Sequence, residues 1–244
     1  MPLDIMTKAE DTVVDRDFLF NLALPDSTKY YETVSHERII TNIEAIMEQY
    51  KPEYRLVKES FVTNRKFERM FFKMYFQAEG KTDLIWGGRN GYDHKTAYAH
   101  ATGAGVFVCS NLCIRGTDAN YIFDHRPGVW DQIMTAQLSA VASIDDRLKT
   151  LQARQDAMKQ IEVQDRRAFE FMGFLRGNDK LSANQMSTAL SHWTNPPFEE
   201  FKERNAWSLY NSVTWAFGKS KDPQNIIKMH TDFDDVMEKE FDLV

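Results

Sequence analysis

The chain has 244 residues, a formal net charge of −6, and charged and apolar fractions of 27% and 43%, which suit one large or two small water-exposed domains. No apolar run approaches the ~20 residues needed to span a bilayer, and the acidic stretch Met1 to Asp17 lacks the basic-then-apolar pattern of a secretory leader, so neither is expected. Two cysteines, Cys109 and Cys113, are too few for a disulfide scaffold, and a reducing cytoplasm is the expected compartment.

Residues 1–33 lack periodicity and read as an N-terminal arm, docked through Phe18, Leu19 and Phe20. Ser35 has the chemistry of an N-cap. It precedes a helical stripe of Ile39, Ile40, Ile43, Ile46, Met47 and Tyr50, which Lys51-Pro52 ends. Tyr54 to Val62 alternates as a strand, Thr63-Asn64-Arg65 turns the chain, and Phe67 to Phe76 is the partner strand. Met70, Phe72, Met74 and Phe76 fall on one face of it; Phe67, Arg69, Phe71, Lys73 and Tyr75 fall on the other. Leu84-Ile85-Trp86 predicts a third strand that Gly87-Gly88 breaks. Thr96 to Ala101 and Gly105 to Ser110 predict a further hairpin turning at Gly103 and Gly105. Residues 34–128 therefore read as a helix followed by an antiparallel meander of about four or five strands.

From Trp130 to Ile161 there is no proline or glycine, and Trp130, Met134, Val141, Ile144, Leu148, Leu151 and Met158 recur at three- and four-residue spacing. This predicts one helix of roughly 45 Å. It either lies lengthwise on the sheet or forms a coiled-coil seam that makes the protein a homo-oligomer, the outcome expected for so long a stripe. Further helices are predicted over Arg166 to Leu175, over Ser182 to Trp193 with Gln185 completing a capping box, and over Asp222 to Phe241. The fold class is α+β: a small, mostly antiparallel sheet flanked by a long helix, then a helical C-terminal region within residues 129–244.

Charge is uneven along this plan. Residues 1–50 carry net −6, residues 51–126 net +4 and residues 127–244 net −4. Arg65, Lys66, Arg69 and Lys73 interleave with Phe67, Phe71 and Tyr75, the mixture of cations and rings with which proteins hold single-stranded nucleic acid. Arg89, Asn90, Tyr92 and Lys95 extend the same candidate surface, and Gly87-Gly88-Arg89-Asn90-Gly91 has the small residues and guanidinium of a phosphate cradle, without the Gly-Lys-Ser/Thr ending of a P-loop. A plain connecting loop and an aromatic core strand are the alternatives.

Cys109 and Cys113 with His94, His100 and His125 are candidate zinc ligands, but on an extended strand the two thiols lie about 13 Å apart. Cys109 with His94 or His125, oriented by Asp93 or Asp124, is a candidate thiolate–imidazole pair without a recognised spacing. Neither constellation is convincing, so no metal, cofactor or catalytic residue is expected. The acidic end, Asp232, Asp234, Asp235, Glu238, Glu240 and Asp242 with Phe233 and Phe241, is either a solvated helix or a surface for a basic partner.

Two signatures carry a family likeness. One is Arg89-Asn90-Gly91-Tyr92-Asp93 followed by Gly105-Val106-Phe107-Val108-Cys109-Ser110-Asn111-Leu112; the other is Trp193, Pro196-Pro197 and Arg204-Asn205-Ala206-Trp207-Ser208-Leu209-Tyr210-Asn211-Ser212-Val213-Thr214. In these the chain resembles, over roughly Val34 to Asp235, the phage/plasmid-like protein family, whose function is unknown. Gly91 departs from the pattern, standing where many relatives carry serine. The resemblance implies a mobile-element origin and work in the cytoplasm of the host cell, and implies no catalytic residues. The order helix, hairpin, strand, long helix is also similar to the core of single-strand annealing proteins. The function expected is a non-enzymatic accessory that binds single-stranded nucleic acid, in annealing or recombination. The alternative is a protein that binds a host protein to inhibit a defence system.

Overall fold

The computed structural model describes residues 11–105, 112–113, 121–217 and 226–243. Among these the strands are β1 (Asp11–Val14), β2 (Arg55–Asn64), β3 (Arg69–Gln77), β4 (Leu84–Gly91), β5 (Tyr98–Gly105), β6 (Leu112–Cys113) and β7 (Tyr121–Phe123). They form one sheet in the order β1-β2-β3-β4-β5, with β6 and β7 both along the far side of β5 and every neighbouring pair antiparallel. The helices are α1 (Arg16–Phe20), α2 (His36–Tyr50), α3 (Val129–Ala142), α4 (Ile144–Gln160), α5 (Asp165–Gly177), α6 (Ala183–Thr194), α7 (Ala206–Phe217) and α8 (Ile226–Phe241). The class is α+β, with a larger sheet than the four or five strands expected. The arm supplies part of the difference: β1 pairs with β2, and Leu19 of α1 is buried.

The alternation of β3 organises the core. Met70, Phe72, Met74 and Phe76 are all buried, and the register sets Phe61, Trp86 and Leu84 beside them on the same face. Ile39, Ile40, Ile43 and Met47 of α2 belong to the same core, as do Ile133 and Val141 of α3 and Ile144 and Leu148 of α4. Each such side chain contributes about 1.5–3 kcal/mol by leaving water. Ser35 caps α2, its Oγ accepting the Arg38 N–H at 3.0 Å. Ser182 and Gln185 complete both bonds of a capping box on α6.

Three expectations are corrected. First, β4 runs unbroken through Gly87-Gly88 to Gly91, so no phosphate loop forms there. Gly88 is needed for close approach: a Cβ on it would come within 2.6 Å of both the Ala99 carbonyl oxygen and the Phe72 ring. Second, Gly103 is no turn. It lies within β5 opposite Ile85, in a run of small residues that packs as strand once a neighbour fixes it. The expected partner, 105–110, lies outside the described residues apart from Gly105, and so does Cys109. Third, the long helix is two helices. α3 ends at Ser143 (φ −96°, ψ 0°), where the backbone leaves helical geometry and the hydroxyl donates to the carbonyls of Ser139 and Ala140 at 3.0 and 3.1 Å. Val141, Ile144, Leu148, Leu151 and Met158 then turn into the chain's own core, which removes the seam as a reason to expect an oligomer.

The helical half is tied together by polar bonds, one buried in that core and others at its edge. Arg154 of α4, 3% exposed, donates to Asp234 of α8 at 2.6 Å and to Glu238 at 3.2 Å. Trp193 donates its indole N–H to Asp165 at 2.9 Å, and Arg204 lies 4.7 Å over its ring while donating to the Trp193 carbonyl at 2.6 Å. From Ala206 to Thr214 every residue of α7 is buried. Three of its polar side chains bond back to the helix: Asn211 to the Trp207 carbonyl, Ser212 to that of Leu209 and Thr214 to that of Tyr210. The second signature therefore builds the centre of the helical region. No helix of the described residues is long and apolar enough to cross a membrane.

Gly88→Ala should lower stability by about 1–3 kcal/mol, the usual cost of forcing volume into a packed site. Urea denaturation measures it; an unchanged midpoint would show that the close approach of Phe72 is not limiting.

Candidate nucleic-acid interface

The β2–β3 turn closes on Asn64. Its carbonyl accepts the Phe67 N–H at 2.8 Å, and its Oδ1 accepts the N–H groups of Glu68 and Arg69, each at 2.9 Å. Arg65 and Lys66 are thereby exposed at the tip. Pairing of Arg69 with Gly91 brings the β4–β5 connection, with Lys95 exposed on it, to the same end of the sheet. Further in, Arg89 lies opposite Phe71, both half-buried. The turn and the register thus gather Arg65, Lys66, Arg69, Lys95 and Arg89 around one end of the sheet.

Arg69 is partly neutralised by Asp93, 3.7 Å from its Nε. Burial pushes the Asp93 carboxyl up, but the N–H groups of Thr96 and Lys95, the Thr96 hydroxyl and Arg69 together hold it below its ordinary value. Lys73 is half-buried on the same face; burial disfavours protonation of His230 of α8, and the charge of Lys73 adds to that. Tyr75 packs on Ile85 and donates to Asp83 at 3.1 Å.

Asn90 and Tyr92 are placed elsewhere than expected. Asn90 is 0% exposed because the register sets it opposite Met70, on the covered face. Its Nδ2 donates to the Val34 carbonyl and to His36 Nδ1, both at 2.9 Å. Tyr92 is buried, stacks on the His36 ring at 4.0 Å and accepts the His36 N–H at 2.7 Å. Both residues clasp the first turn of α2 to the end of β4 and are withdrawn from the surface.

They belong to an internal histidine–tyrosine cluster that reasoning from sequence did not anticipate. Because the Val34 carbonyl only accepts, Asn90 turns its nitrogen toward it, and the other hydrogen of that nitrogen meets His36 Nδ1. The His36 proton therefore sits on Nε2. His125 has the opposite tautomer, its Nδ1 donating to the Glu32 carbonyl at 3.1 Å. A return bond runs from the Glu32 N–H to the His125 carbonyl, and the Glu32 carboxylate accepts the Gly128 N–H at 2.6 Å, where α3 begins. Tyr31 packs between His94 and His125, with centroids at 4.0 and 5.2 Å, and donates to the Gly91 carbonyl. On β5, a chain of donors runs from Asn42 to Gln137, on to the Tyr98 hydroxyl and then to His100 Nδ1. The i, i+2 spacing of Tyr98 and His100, which puts both on one strand face, was the one signal in the sequence.

Of the remaining candidates, Cys109 lies outside the described residues and Cys113 is in β6. Among the described residues no group of three or more His, Cys, Asp or Glu is placed to hold a metal ion. The acidic end is largely countered from within. Asp234 and Glu238 face Arg154, Asp232 faces Lys180 and Lys228, Glu240 faces Arg167, and Phe233 and Phe241 are buried. Comparison with protein-family models, with curated proteins and with solved structures finds no match to the chain.

Burial pushes His36, His100 and His230 down to about 3, with His125, Arg147 and Lys73 respectively adding to the effect. The unfolded chain, with histidines near 6.5, then binds protons that the folded chain refuses. Stability is full above pH 6.5 and falls as pH drops from there toward 3, by up to roughly 1.4 kcal/mol per unit for each histidine. Denaturation midpoints between pH 8 and 5 should fall before the carboxylates titrate; a flat profile over that range would overturn the neutral assignment.

Proposed function

We propose that the chain is a binding protein for single-stranded nucleic acid that uses the Arg65–Lys66 end of its sheet. The observation that supports this is the convergence of Arg65, Lys66, Arg69, Lys95 and Arg89, drawn from one turn, one loop and two strands, in a chain whose net charge is negative. Lys73 stands further along β3. Backbone phosphates are the partner whose charge such an array suits, and rings beside it favour unpaired bases over a duplex. The likeness of the Arg89 and Trp193 signatures to phage and plasmid proteins fits an accessory role in annealing or recombination in a host cytoplasm. The rival reading, an acidic surface that inhibits a host defence protein, draws less support, because most of those acids already face cations of the same chain.

Fluorescence anisotropy with labelled single-stranded DNA, RNA and a duplex, across a salt series, tests the proposal. Affinity for single strands should fall steeply with added salt. Arg65→Ala with Lys66→Ala should weaken binding to all sequences alike and flatten the salt slope by about 0.7 for each phosphate left without its cation. The melting temperature should hold, since both side chains are exposed. No binding to DNA or RNA at low salt would end this reading.

A further inference from the structure

We propose that the Phe18–Phe67 pair, beside Arg65 and Lys66, is the platform on which an unpaired base stacks. This deepens the nucleic-acid reading above and rests on it. It also moves the stacking role away from Tyr75, whose ring packs on Ile85 and whose hydroxyl is bonded.

Phe67 occupies the turn position with φ +58°. That left-handed conformation suits glycine or asparagine and is strained for a bulky side chain, and strain of this kind gathers at functional positions. Closure of the turn does not depend on the ring. The carbonyl and side chain of Asn64 make the closing bonds, and the only group Phe67 contributes to them is its backbone N–H. The ring instead meets Phe18 edge-to-face, with centroids 5.0 Å apart and planes at 64°.

Phe18 is likewise not what anchors its own segment. Leu19 is buried beneath α1, and Arg16 is bonded to Glu44 at 2.6 and 2.8 Å and to Glu59. Phe18 remains 42% exposed, and through its contact with Phe67 it adjoins the turn that carries the exposed Arg65 and Lys66. Every base has a π face that such a ring can meet, whereas in a duplex those faces are already stacked. The pair therefore supplies what the cations alone lack, a preference for single strands without a preference for sequence.

The test compares an oligo(dT) with a duplex of equal length, using Phe67→Asn, Phe67→Trp and Phe18→Leu. Phe67→Asn relieves the backbone strain, so its melting temperature should match or exceed that of the wild type. Its affinity for oligo(dT) should nevertheless drop by at least about fivefold, with duplex binding unchanged. Phe67→Trp should keep single-strand affinity, and Phe18→Leu should lower it, which also decides the matter should Phe67→Asn not fold. If Phe67→Asn and Phe18→Leu bind oligo(dT) as tightly as the wild type while Arg65→Ala with Lys66→Ala weakens it, stacking is overturned and the phosphate surface stands. Equal losses for oligo(dT) and duplex overturn stacking too, assigning the rings to shaping the turn. A wild type that binds no nucleic acid overturns both proposals.

Discussion

The parity of β3 is the constraint on which the rest depends. With a side-chain period of two, a slip of one residue against β2 or β4 would bury Arg69 and Lys73 and expose Met70, Phe72 and Met74. That penalty fixes the register of β2, β3 and β4. The register in turn decides that Asn90 faces the core, that Gly88 lies under the Phe72 ring, and that Arg89 and Arg69 share a face with Phe71. Core and candidate surface are two sides of one alternation.

Polar groups inside the core join elements that apolar packing alone would leave free to slide. Asn90 and Tyr92 fix the start of α2, Glu32 fixes the start of α3, and Gln137 ties α3 to α2 and β5 through Asn42 and Tyr98. Neutral imidazoles suit this task, since Nδ1 can accept, as in His36 and His100, or donate, as in His125, without the desolvation cost of a charge. The helical half uses a charged equivalent, Arg154 between Asp234 and Glu238. Removing one partner of such a pair strands a buried charge and costs about 3–5 kcal/mol, though the pair itself contributes little net stability.

Local chemistry was legible in the sequence wherever it acts over a few residues. Ser35 and Ser182 are caps because their hydroxyls meet N–H groups three residues on, and the two faces of β3 follow from alternation. What misled was glycine. Read alone, Gly87-Gly88 and Gly103 break strands; in the sheet all three are paired within strands, and Gly88 lets the Phe72 ring and the Ala99 carbonyl come close. Treating β4 as broken also lost its phase. Counted without interruption from Leu84 and Trp86, Asn90 falls on the covered face, and its removal from the candidate surface follows from parity alone. The break at Ser143 has no marker in the sequence, and its side-chain bonds are none: Thr41 makes the same pair within α2 without ending it. The gathering of Arg65, Lys66 and Lys95 required knowing which turn meets which loop, and pairing supplies that, not composition.

The Asn90-Gly91 step has a consequence for chemical ageing. Asparagine before glycine is the pair most prone to deamidate, because the following amide nitrogen can attack the side-chain carbonyl. In the folded strand that side chain is held on both hydrogens of its nitrogen, by Val34 and by His36, and cannot swing into line. Once unfolded, it can. The aspartate formed would present an oxygen to the Val34 carbonyl in place of a donor, two acceptors facing each other in a fully buried site, and isoaspartate would add a carbon to the backbone of β4. Time spent unfolded is then recorded in the covalent structure, and a chain that lingers there loses its way back. Peptide mass mapping of folded and unfolded samples aged in parallel reads this directly, as a mass gain at Asn90 confined to the unfolded one.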